Sequence, residues 1–190
     1  MILNLRGNHA SGKTTVVRKL LAHFPSKPIF GALGPRMPEA YLCETGRCPF
    51  YILGPYNVPG MAGCDYVTMR GMALMLELLD KYVSKGDILY EGVLLSVRIL
   101  APTIGKWLLE HKDDVRILIL DTTLEQCLAA LKERQDKSAY RPGKDDTLLQ
   151  VQQRQFERVK KHLQGQGFGI EYVSRDKAVK RIIECLKQPH

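Results

Sequence analysis

The 190-residue chain has no uninterrupted apolar run near the roughly 20 residues of a membrane-spanning helix. Its first residues lack the basic-then-apolar order of a secretory signal, so a cytosolic protein is expected. Its five cysteines, Cys43, Cys48, Cys64, Cys127 and Cys185, are odd in number and too sparse for a disulfide scaffold. Cys43, Cys48 and Cys64 form no CxxC pair and have no evident fourth ligand, which favours buried or unpaired thiols over zinc. Internal repeats, low-complexity stretches and linkers are missing, and the length leaves little room for a second domain. Acidic residues are also in short supply, 20 against 28 Lys plus Arg, for a formal net charge of +8. The surplus is patterned: +5 over residues 1–64, −3 over 65–131, +4 over 132–161 and +2 over 162–190. Such a chain meets polyanions readily, although composition alone does not choose among them.

What is present alternates between strand and helix. Ile2–Arg6 reads as a short apolar strand, followed after a Gly-containing turn by a helix that His23-Phe24-Pro25 stops. A Gly- and Pro-dense stretch to about residue 64 contains two short strands, Ala40–Glu44 and Pro49–Leu53, plausible as a hairpin around Thr45-Gly46-Arg47. From Asp65 to Val83, Met69, Met72, Leu76, Leu79 and Val83 recur at helical spacing and predict one largely buried helix. Asp87–Glu91 and Val115–Leu120 read as core strands, with helices over 97–111, 123–135 and 146–163, a polar loop over 137–145, and a last strand and helix over 168–173 and 176–186. Strands alternating with longer helices predict one α/β domain over residues 1–190, three-layered and doubly wound around a parallel sheet.

Gly7-Asn8-His9-Ala10-Ser11-Gly12-Lys13-Thr14 fits GxxxxGK[ST] in every fixed position, with a strand before it and a helix after it. The chemistry follows from the pattern. Loop amides and the positive helix end surround the phosphates of ATP, Lys13 offers an ammonium to the β- and γ-oxygens, and the Thr14 hydroxyl can ligate Mg²⁺. Asn8 and His9 contribute their backbone amides, and His9 is a spacer in preference to a base.

A P-loop kinase also needs an acid at a neighbouring strand end. Glu91, followed by Gly92, is the favoured carboxylate, against the plainer role of capping the next helix. Asp121 is expected to be an N-cap, whereas Asp65 stands equally as an N-cap or a substrate-side acid. Arg134, Lys137, Arg141 and Lys144 surround Pro142-Gly143, where P-loop kinases put a closing lid, and Arg134 and Arg141 there can neutralise charge on the transferring phosphoryl group. Arg154, Arg158 and Lys161 form one helical stripe that is either a solvated face or a DNA contact.

Four stretches together resemble the phage 5-hydroxymethyluracil DNA kinases: Ile2–Thr14, Cys43-Glu44-Thr45-Gly46, Leu53-Gly54-Pro55-Tyr56 leading to Gly63-Cys64-Asp65, and Tyr90-Glu91-Gly92. The resemblance runs the length of the chain. It implies a fold similar to thymidylate kinases and ATP-dependent phosphorylation of the hydroxymethyl group of a modified thymine already in viral DNA, a step towards hypermodified thymidine. The implied setting is the host cytoplasm. One departure is Asn8-His9-Ala10, where small polar residues or glycine would be expected. Three rival functions use the same P-loop: a free nucleoside monophosphate kinase of thymidylate type, a small-molecule kinase, and a non-catalytic module that binds nucleotide and DNA.

Overall fold

The computed structural model describes residues 1–57, 63–92, 102–133 and 143–188. Seven strands form one sheet: β1 (Ile2–Arg6), β2 (Ser26–Gly31), β3 (Gly34–Cys43), β4 (Phe50–Leu53), β5 (Asp87–Glu91), β6 (Val115–Leu120) and β7 (Ile170–Val173), in the order β2-β3-β4-β5-β1-β6-β7. From β4 to β7 every neighbouring pair is parallel, and of the seven strands β3 alone runs against the rest. The sheet is therefore mostly parallel, as expected, with an antiparallel hairpin extending one edge.

The helices are α1 (Lys13–His23), α2 (Cys64–Arg70), α3 (Met72–Val83), α4 (Pro102–Glu110), α5 (Leu124–Glu133), α6 (Lys144–Gly165) and α7 (Ala178–Lys187), with one 3₁₀ turn at Lys112–Asp114 before β6. They cover both faces of the sheet. Alternation along β1 sends Leu3 and Leu5 towards Val16, Val17 and Leu20 of α1 and Ile182 of α7, while Ile2 packs with Met75 and Leu78 of α3, Trp107 of α4 and Phe156 and Val159 of α6. Two apolar layers around a sheet make the expected three-layer α/β architecture.

Three details depart from expectation. The helix expected over 65–83 is two helices, because Gly71 takes φ 148° and ψ 142°, a conformation that only glycine adopts without strain. Its N–H still closes α2 on Val67 O and Thr68 O, and its carbonyl accepts from Met75 N–H to start α3. The break rotates the buried face to Met75, Leu78, Leu79 and Tyr82, and leaves Met69 in solvent.

Second, β2 occupies a stretch read as loop. Its Pro28, which has no N–H to donate, is tolerated because the strand lies at the sheet edge. The hairpin tip is held by buried Glu39, whose carboxylate accepts from Ala32 N–H at 2.6 Å, the Tyr82 hydroxyl at 2.6 Å and Lys81 Nζ. Burial pushes the Glu39 carboxyl up, but these donors together hold it below the usual carboxylate range.

Third, α5 is capped by Thr123 and not by Asp121. Gln126 N–H donates to Thr123 Oγ1 at 3.2 Å and Thr123 N–H donates back to Gln126 Oε1 at 3.0 Å, a reciprocal capping box. Asp121 N–H instead pairs with Val173 O, extending the β6–β7 contact.

Candidate active site

β1 runs straight into the P-loop, at the carboxyl ends of the parallel strands where open α/β sheets bind ligands. Lys13 opens α1 and is 5% exposed; its Nζ folds over the loop to donate to Gly7 O at 3.0 Å and Asn8 O at 2.9 Å. Ser11 N–H closes the turn on Asn8 O. Ala10 has φ 61°, the one non-glycine residue with positive φ among the described residues. Holding an L-residue there costs about 1–2 kcal/mol, and it falls in the Asn8-His9-Ala10 stretch, where small polar residues or glycine were expected. The Ser11 Oγ is buried without a hydrogen-bond partner among the described residues, a hydroxyl a phosphate oxygen can engage. His9 is exposed at the loop's rim.

Glu91 ends β5, the strand beside β1, and is 2% exposed. Its Oε1 accepts from the Thr14 hydroxyl at 3.2 Å and the Tyr56 hydroxyl at 3.3 Å. Burial pushes its carboxyl up to about 7; Lys13 opposes that shift, Asp65 adds to it, and the Thr14 and Tyr56 hydrogen bonds temper it. The same burial, beside Glu91, pushes the Tyr56 phenol and the Cys64 thiol up, so both stay protonated. Gly63 presses on this cluster: a Cβ there would run into Glu91 Oε1 and lie 2.8 Å from the Tyr56 hydroxyl, and its φ of 67° also suits glycine.

Asp65 does not cap α2. The helix begins one residue earlier, after Gly63, so Asp65 lies inside the first turn, where the helix dipole favours its charge. Its Oδ1 would lie 2.8 Å from a Cβ on Gly92, so Gly92 is small for the sake of this carboxylate. Gly7 to Thr14, Glu91 and Asp65 thus come together at one end of the sheet. Arg134 and Arg141, with most of the expected lid, lie outside the described residues. Arg154, Arg158 and Lys161 are exposed on α6.

The structure adds residues that spacing did not single out. Tyr56 lies after a Gly-Pro pair and reaches Glu91 only through the fold. Gln153 of α6 accepts a hydrogen bond from Asn8 Nδ2, tying the helix of the basic stripe to the phosphate loop. Arg175, in the turn after β7, lies against Gly12, where a Cβ would meet its Cδ at 2.5 Å. Arg6, fully buried beneath the loop, donates through Nε to Asn4 Oδ1. Asn8, Arg6 and Arg175 carry no periodicity or motif signal beyond the loop pattern itself.

A buried carboxylate touching the P-loop threonine, with the loop lysine alongside, is the equipment of phosphoryl transfer. The chain is 29% identical over 192 residues to the 5-hmdU DNA kinase of Pseudomonas phage PaMx11, an alignment covering 97% of each chain. The expected resemblance is thus found. With it stands the phosphotransferase class, on a mostly parallel α/β sheet. No protein-family model matches the chain. Among solved structures it overlays on M. mycoides deoxyadenosine kinase with bound dATP (TM-score 0.48, 11% identity, covering 99% of this chain and 100% of that one). A second form of that enzyme, with dCMP and a flexible dCDP, gives a TM-score of 0.45 at 11% identity, covering 98% of this chain and 96% of that one. Among the described residues no helix is long and apolar enough to cross a membrane.

Proposed function

We propose that the protein transfers the γ-phosphoryl group of ATP to the 5-hydroxymethyl group of 2′-deoxyuridine within DNA, in the host cytoplasm, as a step towards hypermodified thymidine. The match over 97% of the chain to a phage 5-hmdU DNA kinase carries the choice of acceptor. The +8 charge supports it, since a mononucleotide needs far fewer cations than a DNA backbone.

In this reading the loop amides and Lys13 bind the ATP phosphates. The Thr14 hydroxyl, 3.2 Å from Glu91, is a hard oxygen donor of the kind Mg²⁺ takes. The ion, when bound, supplies charge neutralisation on the phosphate oxygens. Glu91 accepts the proton of the acceptor hydroxyl; a carboxyl poised at about 7 is matched to that task near neutral pH. The hydroxyl oxygen then bonds to the γ-phosphorus as the bond to the ADP oxygen breaks. Asp65, beside Gly92, orients the acceptor, and Arg134 and Arg141 supply positive charge from the lid.

The test offers labelled ATP with either DNA containing 5-hydroxymethyluracil or free 5-hydroxymethyl-dUMP. Label in the DNA is the expected result, and label only in the mononucleotide overturns the proposal in favour of a thymidylate-kinase-like activity.

A further inference from the structure

Building on the DNA-kinase reading, we infer that helix α2 carries a wedge, Met69, that enters a DNA duplex and holds the acceptor nucleotide out of the base stack while its hydroxymethyl group reaches Glu91. The need for such a device follows from the site. Glu91 is 2% exposed, and Thr14, Tyr56 and Gly63 crowd its Oε1. A group on the edge of a stacked base cannot reach a carboxylate enclosed in this way, because the whole duplex would have to enter with it. The nucleotide therefore leaves the stack, as with other enzymes that act on a base in a duplex.

The wedge is placed by the helix itself. Asp65 meets Gly92, next to Glu91, and Met69 follows it at i+4, one turn and about 6 Å further along nearly the same flank of α2. The opposite side of α2, with Cys64, Val67 and Thr68, is buried. Met69 is 65% exposed, the most exposed of the large apolar side chains among the described residues. Methionine is unbranched, flexible and polarisable, suited to sliding between base steps, where proteins that kink DNA insert apolar side chains.

The next residue provides charge complementarity. The Arg70 guanidinium lies 5.2 Å from the Tyr66 ring centroid and donates to the Tyr66 hydroxyl at 2.7 Å, which holds an exposed cation beside the wedge for a flanking phosphate. Asp65 beside the catalytic strand end, an apolar tip and an anchored cation thus follow one another along a single short helix. Met69 makes no contribution to the core, so its exposure has no packing explanation.

The experiment uses the full chain with an oligonucleotide carrying one 5-hydroxymethyluracil, as a single strand and as a duplex, with 2-aminopurine opposite the modified base in the duplex. Met69→Ala should lower the phosphorylation rate on the duplex by about tenfold, leave the single strand within about twofold, and lose the 2-aminopurine fluorescence rise expected of the unaltered protein. Met69→Leu, which restores apolar bulk, should recover most of both signals. An equal rate of Met69→Ala and the unaltered protein on the duplex overturns the inference. So does an equal loss on both substrates, which would make Met69 a general part of the acceptor site, or a change of oligomeric state in Met69→Ala, which would make the patch a self-association surface. If the unaltered protein labels neither form of DNA, the DNA-kinase reading fails and the wedge with it; if it labels both without a fluorescence rise, the reading stands and the wedge alone is wrong.

Discussion

Glu91 combines two demands that pull against each other. Its folded-state carboxyl titrates at about 7, above the ordinary 4.5, so between those values the folded protein holds a proton that the unfolded chain has released. The stability tied to this group is present below pH 4.5 and lost as pH rises through 7, roughly 3 kcal/mol in all. Glu91→Gln removes the titration, so above pH 7 the variant should be more stable than the unaltered protein, as read by urea denaturation at pH 5 and pH 8. The same variant should lose at least about a hundredfold in phosphoryl transfer. The unaltered enzyme's rate should climb with pH to a plateau above 7, and an identical rate in Glu91→Gln would remove the group from the chemistry. Lys13→Ala should abolish transfer while DNA affinity, measured by fluorescence anisotropy, stays within about threefold, because the ammonium is folded onto the nucleotide loop. Lys13, Thr14 and Glu91 were legible in the sequence because a fixed spacing and a strand end specify them. Tyr56 was legible only within a stretch of family resemblance, and Arg175 and Gln153 not at all, since each reaches the site from a separate segment and only tertiary packing brings them there.

Most strands and helices were found in the right order because apolar periodicity is strong in them. The misread elements fail for local reasons. One glycine at φ 148° divides α2 from α3 where a continuous periodicity suggested one helix, and a proline on an edge strand masked β2. Glu39 illustrates what the hairpin depends on. Glu39→Ala leaves the Tyr82 hydroxyl and the Ala32 N–H without their acceptor, and should lower stability by roughly 2 kcal/mol in urea melts, the half-exposed Lys81 adding little. Amide exchange in residues 26–34 should quicken in that variant more than in β1 or β5. On α6, the outward stripe is testable as a unit: Arg154→Ala with Arg158→Ala should weaken DNA binding and reduce the magnitude of the slope of log affinity against log salt by about 2. An unchanged slope would return the stripe to the role of a solvated face.

Across the molecule, charge and topology divide the work. The basic surplus over residues 1–64 and 132–161 belongs to the two stretches that supply the phosphate loop and helix α6, and the Asn8–Gln153 hydrogen bond joins them across 145 positions of sequence. The acidic middle of the chain contributes Asp65 and Glu91, and Glu91 meets Lys13 at the carboxyl ends of the strands. That meeting could not be read from composition, because it depends on which strand lies beside which. The order β5-β1-β6 has a temporal consequence as well. β1 is made before both of its neighbours, residues 87–91 and 115–120, so the strand that carries the phosphate loop waits until residue 120 for both of its edges. Parallel pairings of such long range close slowly. The strand of the phosphate loop is therefore completed only after residue 120 has been made, and a chain stalled before then presents an apolar strand with an unpaired edge.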